Sequence, residues 1–86
     1  MDVTDALGAN LKRVRAASGL SQDAVSQAAE LHRTAVSEIE AGNSDARFST
    51  LLKLAGVLEV DPSEFFKGAR YKPATTERGG FELPEK

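Results

Sequence analysis

The chain has 86 residues, of which 41% are hydrophobic and 28% are charged, and it contains no cysteine. This length permits one small hydrophobic core and excludes the two-domain layout of most enzymes, while the composition excludes a fully disordered chain. The lack of cysteine excludes disulfides and thiolate metal sites, and the formal net charge of −2 argues against a basic protein that coats nucleic acid without sequence preference.

No segment of the sequence is suited to crossing or entering a membrane. There is no run of 18 apolar residues, and residues 1–5 lack the basic and apolar regions of a signal peptide. We therefore expect a cytoplasmic protein without a membrane partner.

Apolar residues near the N-terminus recur with helical spacing. Four of them would share one face of a first helix: Val3, Leu7, Leu11 and Val14. Gly19 is suited to the left-handed end of this helix. Ser21 is a suitable N-cap for a short second helix that runs to about Ala29 and buries Val25, Ala28 and Ala29.

Three more helices are predicted further along the chain. The third runs from Arg33 to Ala41 and is closed by Gly42. The fourth ends near Glu59 and carries a stripe of apolar residues: Phe48, Leu51, Leu52, Ala55 and Leu58. The fifth begins at Asp61, because Asp61 is a good N-cap, Pro62 suits the first helical position and Glu64 completes a capping box.

Five helices with short connections and no strand alternation predict a compact all-α domain over residues 1–67. The remaining residues, 68–86, hold two of the three prolines and three of the seven glycines. Their apolar side chains are scattered, and we interpret this segment as a C-terminal tail or arm.

The second and third helices are short and about three residues apart, which is the spacing of a DNA-binding helix-turn-helix. Many small bundles share that spacing, so the residues themselves matter. Residues 20–25 and 31–42, which read LSQDAV and LHRTAVSEIEAG, closely resemble the Cro and lambda-repressor type family, also called the XRE family. Residues 50–55 and 58–64 resemble its fourth and fifth helices, so the similarity covers about residues 7–67 without a gap.

The resemblance implies a five-helix lambda-repressor-like domain that binds double-stranded DNA. In this family the residues opening the second helix, here Ser21 and Gln22, lie over phosphates, where a helix N-terminus is favourable. The residues opening the third helix face base edges. These are Arg33 and Thr34, and Arg33 could bind guanine through two hydrogen bonds worth about 1–3 kcal/mol of discrimination.

Further DNA contacts are implied around the same helix. They fall on His32 as a turn or capping residue near phosphate, on Ser37 and Glu38 one turn into the helix, and on Asn43 and Arg47 in the following loop. Glu38 departs from the family pattern and leaves two interpretations, acceptance of a hydrogen bond from cytosine or an ion pair with Arg33. Glu30 stands where relatives often have a turn glycine, which costs about 1 kcal/mol of backbone strain.

Arg15 and Glu40 match a pair that in the family bridges the first helix and the end of the recognition helix. One interpretation is that the pair holds the recognition helix in register. The other is an exposed surface pair, which would contribute less than about 1 kcal/mol.

The charge balance limits how the protein can bind DNA. Residues 1–67 contain seven basic and ten acidic residues. We therefore expect weak non-specific binding, a salt dependence no steeper than a log–log slope of about −8, and affinity that relies on direct readout and dimerisation. A homodimer would place two recognition helices about 34 Å apart on a near-palindromic site. The expected dimer surface comprises Val57, Val60, Phe65 and Phe66, with one of the adjacent phenylalanines free for a partner.

The sequence thus predicts a sequence-specific transcriptional regulator, most simply a repressor, of bacterial or phage origin. In a dimer, the tail residues Tyr71, Phe81 and Leu83 could cross to the other protomer as an arm. The alternatives are an antitoxin whose residues 68–86 bind a protein toxin, a restriction–modification controller, and a protein-binding module that has lost contact with DNA. We expect no cofactor, no metal and no enzymatic activity, because the chain offers no nucleophile–base pair, metal-ligand set or phosphate loop.

Overall fold

The computed structural model describes residues 3–71, and within this range every regular element is a helix. Four α-helices follow one another: α1 (Val3–Ser18), α2 (Gln22–Ala28), α3 (Ala35–Glu40) and α4 (Phe48–Leu58). A 3-10 helix, Pro62–Phe66, comes last. The predicted all-α fold is confirmed. Residues 72–86, including Phe81 and Leu83, lie outside the described part of the chain, so the predicted tail stays a prediction for them.

The prediction of five α-helices is wrong, because the fifth element is a 3-10 helix. Only five residues, Pro62–Phe66, separate the N-cap Asp61 from Lys67, whose backbone is extended. Runs this short commonly adopt the tighter 3-10 geometry. The N-cap prediction is confirmed, since the Asp61 carboxylate accepts a hydrogen bond from the Ser63 amide at 2.9 Å. The predicted capping box is wrong, because the Glu64 carboxylate contacts Lys67 and Arg13 instead of the Asp61 amide.

The 3-10 helix is also tied to α1 by charged side chains. The Glu64 carboxylate lies 3.2 Å from the Lys67 ammonium and 3.4 Å from the Arg13 guanidinium. The bond to Lys67 is the main reason why the pKa of Glu64 lies below its usual value. The Ser63 amide likewise lowers the pKa of Asp61. Both carboxylates therefore stay ionised where they hold this segment in place.

A single hydrophobic core joins all five elements. The buried stripe of α1 (Leu7, Leu11 and Val14) packs with residues from each later element. These are Val25 of α2 and Ala29 directly after it, Val36 and Ile39 of α3, Leu51, Leu54, Ala55 and Leu58 of α4, and Phe65 of the 3-10 helix. Phe65 and Leu54 are fully buried. Burial of side chains of this size stabilises a fold by about 1.5–3 kcal/mol each.

Some residues assigned to the core by helical spacing lie outside it. Val3, Ala28, Phe48 and Leu52 are exposed, with Phe48 exposed to 73%. The buried stripe of α4 consists of Leu51, Leu54, Ala55 and Leu58, at i, i+3, i+4 and i+7. This stripe is rotated away from Phe48 and Leu52, so those two side chains stay on the surface.

Two features fix where α1 sits against the rest of the domain. A Cβ on Gly8 would lie 2.6 Å from the Ile39 carbonyl oxygen and 2.8 Å from that of Glu40, so only glycine permits this approach of α1 to α3. The Asn10 side-chain amide, buried to 92%, donates to the carbonyl oxygens of Phe65 and Lys67 at 3.0 and 2.8 Å. Among residues 3–71, no helix is long and apolar enough to traverse a bilayer.

Candidate nucleic-acid interface

The helix-turn-helix is formed by α2, a turn at residues 29–34, and α3. Ser21 caps α2, since its hydroxyl oxygen accepts a hydrogen bond from the Ala24 amide at 3.0 Å. The chain then turns at Glu30, whose φ of 58° lies in the left-handed region. This is the position where we expected a glycine-like turn, and the expectation of strain there is confirmed.

The third helix begins later than predicted, at Ala35 instead of Arg33. Arg33 and Thr34 belong to the turn that leads into it. This turn is closed by the Ala35 amide, which donates to the His32 carbonyl oxygen at 2.8 Å. The two residues expected to face bases therefore project from the end of the turn and not from the helix body.

Side chains of the turn are linked to one another. His32 Nδ1 lies 2.8 Å from the Thr34 hydroxyl and accepts a hydrogen bond from the Thr34 amide at 3.2 Å. The Ser37 hydroxyl donates to the Thr34 carbonyl oxygen at 2.9 Å. His32 is the chain's one histidine, and residues 3–71 hold no cluster of acidic or histidine side chains that could bind a metal ion. These contacts favour the interpretation of His32 as a turn residue.

Helix α3 is anchored through its inner face. Val36 and Ile39 are buried in the core, while Glu38 on the other face is exposed. The Val36 amide also donates a buried hydrogen bond to the Ser26 hydroxyl of α2 at 3.2 Å. Sequence reasoning missed Ser26, although it lies at helical spacing from Gln22 and Ala29 and therefore belongs to the inner face of α2.

The end of α3 is held by a network around the Glu40 carboxylate. Arg15 Nε lies 2.5 Å from Glu40 Oε2, and Arg15 Nη2 lies 3.1 Å from Oε1. The Gln22 side-chain amide donates to the same Oε1 at 2.9 Å, and Arg15 Nη1 donates to the Leu20 carbonyl oxygen at 2.8 Å. One network therefore connects α1, the start of α2 and the end of α3.

This ion pair is not a surface pair. The side chains of Arg15 and Glu40 are only 16% and 4% exposed. The hydrogen bond to Glu40 raises the pKa of Arg15 above its ordinary value, against the opposing effect of burial. The interpretation of Arg15 and Glu40 as a solvated pair is therefore wrong, because the two groups meet in the packed contact between α1 and α3.

The structure places the expected DNA-contacting residues on the surface to different degrees. Most are exposed (Ser21, His32, Arg33, Thr34, Glu38, Asn43 and Arg47), and Gln22 and Ser37 are half-buried. Part of Gln22 is engaged with Glu40, which we did not anticipate. Within residues 3–71 Arg33 and Glu38 form no ion pair, so that interpretation of Glu38 is wrong. Contact of these residues with DNA stays a prediction.

The expected dimer surface needs one correction. Phe65 is fully buried in the core and cannot contact a partner, because it fills the space between α1 and α4. Its neighbour Phe66 is 50% exposed, and Val57 and Val60 are partly buried. Phe66 is thus the phenylalanine left free.

The chain is similar to known proteins in sequence and in structure. A family model described as helix-turn-helix, HTH_3, matches residues 11–65, which is most of the chain. The restriction-modification controller protein C.AhdI from Aeromonas hydrophila is 33% identical, with a TM-score of 0.71 over 73% of this chain and 96% of that one. No curated protein sequence matches the chain.

Two further solved structures are similar. An HTH_3 family transcriptional regulator from Vibrio cholerae is 35% identical, with a TM-score of 0.70 over 78% of this chain and 39% of that chain. The P22 c2 repressor protein, solved in complex with a synthetic operator, is 22% identical, with a TM-score of 0.66 over 72% of this chain and 94% of that one. The latter likeness shows a shared fold.

Proposed function

Because the chain belongs to the HTH_3 helix-turn-helix family of DNA-binding transcription regulators, we propose that it is a sequence-specific repressor that binds a near-palindromic operator as a homodimer. The turn at Arg33 and Thr34 and the outer face of α3 enter the major groove. Ser21, Gln22, Asn43 and Arg47 contact the phosphates on either side.

One observation carries this proposal, namely that α3 is fixed to α1, to α2 and to the core, while the predicted base contacts directly before it are exposed. Glu40 is bound to α1, Val36 is bound to α2, and Ile39 is buried. Arg33 and Thr34 are exposed at the start of this fixed helix. A rigid support behind a few exposed polar side chains is what direct readout of bases requires.

The charge of the domain favours direct readout of bases over non-specific electrostatic attraction to DNA. Arg33 and Arg47 are exposed cations near α3, whereas Arg15 is neutralised by Glu40. With few free cations to replace counterions, the affinity should change with salt along a log–log slope shallower than about −8.

Selection of bound sequences from a random DNA pool by the full chain tests the proposal. We expect enrichment of a near-palindrome whose half-sites are one helical turn, about 34 Å, apart. The Arg33→Ala variant serves as the matched control and should enrich a different or weaker motif. Recovery of no enriched sequence by the wild-type chain would refute sequence-specific binding.

A role as a restriction–modification controller is the second candidate. It is favoured by the 33% identity to C.AhdI, which extends over 96% of that protein. The two candidates differ in genomic context, since a controller is expected beside a methyltransferase gene. A neighbouring methyltransferase gene with the enriched operator in its promoter would identify the chain as a controller. An operator that lies before unrelated genes would identify it as a repressor of those genes.

The antitoxin alternative depends on residues 68–86, of which only 68–71 are described. We propose residues 1–67 as the DNA-binding unit and the segment after it as a separate arm. Equal operator affinity of the full chain and of a chain ending at Tyr71 would support this division, because Tyr71 is exposed and no described core residue follows Phe65. A large loss of affinity on truncation would assign DNA binding or dimerisation to the arm.

A further inference from the structure

The side chain of the N-cap residue does not bond to the first turn of α3. The first amides of an α-helix have no intrahelical partner and are usually bonded by the side chain of the N-cap residue. Here the N-cap residue is Thr34, and its side chain makes no such bond. Its hydroxyl lies beside His32 Nδ1 instead.

Ser26 supplies the missing cap from the preceding helix. Its hydroxyl oxygen accepts a hydrogen bond from the amide of Val36, the second residue of α3, at 3.2 Å. Its carbonyl oxygen accepts a second bond from the Leu31 amide at 2.9 Å. One residue of α2 therefore binds the turn at Leu31 and the helix start at Val36.

The buried surroundings make the hydrogen bond between the Val36 amide and the Ser26 hydroxyl hard to replace. Ser26 is fully excluded from solvent, and so is Val36. Water cannot take over the bond if the hydroxyl is removed, so the Val36 amide would lose its partner inside the core. The helix start would then move to recover a partner, and Arg33 and Thr34, which come directly before it, would move with it.

We propose that Ser26 is a positioning residue for DNA recognition, which orients the start of α3 and thereby the side chains of Arg33 and Thr34. The proposal rests on the proposed function, since it concerns the same base-reading surface. Ser26 itself does not touch DNA. Its removal acts on the selectivity of binding and leaves the phosphate contacts of Asn43 and Arg47 in place.

The test compares the wild-type chain with Ser26→Ala, using the enriched operator and an unrelated duplex of equal length at one salt concentration. We expect the affinity for the operator to fall by about tenfold, which corresponds to one lost buried hydrogen bond. The affinity for the unrelated duplex should stay within twofold. Amide exchange at Val36 should accelerate by about tenfold in the free protein.

Two control variants separate positioning from stability. Val14→Ala removes two methyl groups from the buried face of α1 and lowers stability, while the hydrogen bond between Ser26 and Val36 keeps both of its partners. Ser18→Ala removes a hydroxyl that donates to the Arg15 carbonyl oxygen on the surface. Both should keep the wild-type ratio of operator to unrelated-duplex affinity at temperatures where they are folded.

The outcomes distinguish this proposal from the proposed function. If the wild-type chain enriches an operator but Ser26→Ala keeps the same ratio of affinities, the positioning role is refuted and DNA recognition stands. If the wild-type chain enriches nothing, both fall. Should Ser26→Ala be partly unfolded at 25 °C, the comparison is made in a Gly56→Ala background, where the added methyl meets no atom within 4 Å.

Discussion

Arg15 binds both carboxylate oxygens of Glu40, so that the last residue of α3 is held by a side chain of α1. The two side chains are nearly excluded from water. Removal of one partner would leave the other charge without compensation in the packed contact.

Substitution of Glu40 by Gln is expected to lower the free energy of unfolding by about 2–3 kcal/mol. This is somewhat below the loss for a fully buried pair, because Arg15 keeps 16% exposure. Urea unfolding measures the loss. Arg13→Ala is the control, since Arg13 is 50% exposed and lies 3.4 Å from Glu64, and it should change stability by less than about 1 kcal/mol. Equal losses in the two variants would contradict this assignment.

Gly8→Ala and Gly56→Ala place the same methyl group in two helices with opposite expected results. At Gly8 the methyl would collide with main-chain oxygens of Ile39 and Glu40, and we expect a loss of at least about 2 kcal/mol. At Gly56 nothing lies within 4 Å, so the better helix propensity of alanine should add about 0.5–1 kcal/mol. Thermal unfolding of both variants measures these changes in stability. Stabilisation by Gly8→Ala would show that α1 and α3 are not in close contact.

Glu30→Gly should stabilise the protein, although glycine usually weakens helical segments. Glu30 has a φ of 58°, where glycine relieves about 0.5–1 kcal/mol of strain. The control is Ala24→Gly in the regular part of α2, which should lose about 1 kcal/mol. A lower unfolding midpoint for Glu30→Gly than for the wild type would mean that the glutamate side chain stabilises the turn in another way.

Arg33→Ala is expected to weaken operator binding by about tenfold or more, since a bidentate contact to guanine discriminates by about 1–3 kcal/mol. The unfolding midpoint should not change, because Arg33 is exposed. Fluorescence anisotropy with labelled operator gives the affinity. The control Arg70→Ala removes an exposed cation that is far along the chain from α3, and its operator affinity should stay within twofold of the wild type. An equal loss of operator affinity in both variants would indicate general electrostatic attraction.

Phe66→Glu should shift the proposed homodimer to a monomer. Phe66 is a large, half-exposed apolar side chain, and a buried carboxylate in an interface is strongly unfavourable. Sedimentation should show a dissociation constant at least about tenfold higher. Tyr71→Glu, at a residue that is 77% exposed, is the matched control. A wild-type chain that binds its operator as a monomer would rule out the homodimer.

Much of the fold follows from short-range patterns in the sequence. The spacing of Leu7, Leu11 and Val14 gave the buried face of α1, and Gly19 and Gly42 have the positive φ values expected where helices end. The start of the last helix at Asp61 was also predicted correctly. These features are local, because capping and helical spacing depend on neighbours within one turn.

The wrong predictions concern residues whose burial depends on packing between elements. Nothing local determines that Phe65 is buried and Phe66 exposed, or that Phe48 and Leu52 lie beside the buried stripe of α4. The bond from Val36 to Ser26 and that from Gln22 to Glu40 join residues 10 and 18 positions apart. Family resemblance predicted the pair Arg15 and Glu40, but its burial depends on the close contact that Gly8 allows.

The brevity of α3 has a consequence for how binding and folding are related. A helix of six residues is far below the length at which an isolated segment stays helical in water. The surface proposed to read DNA therefore exists only in molecules whose core is intact. Operator occupancy and folding are thermodynamically linked, so each raises the other, and a change deep in the core alters the fraction of molecules that can bind.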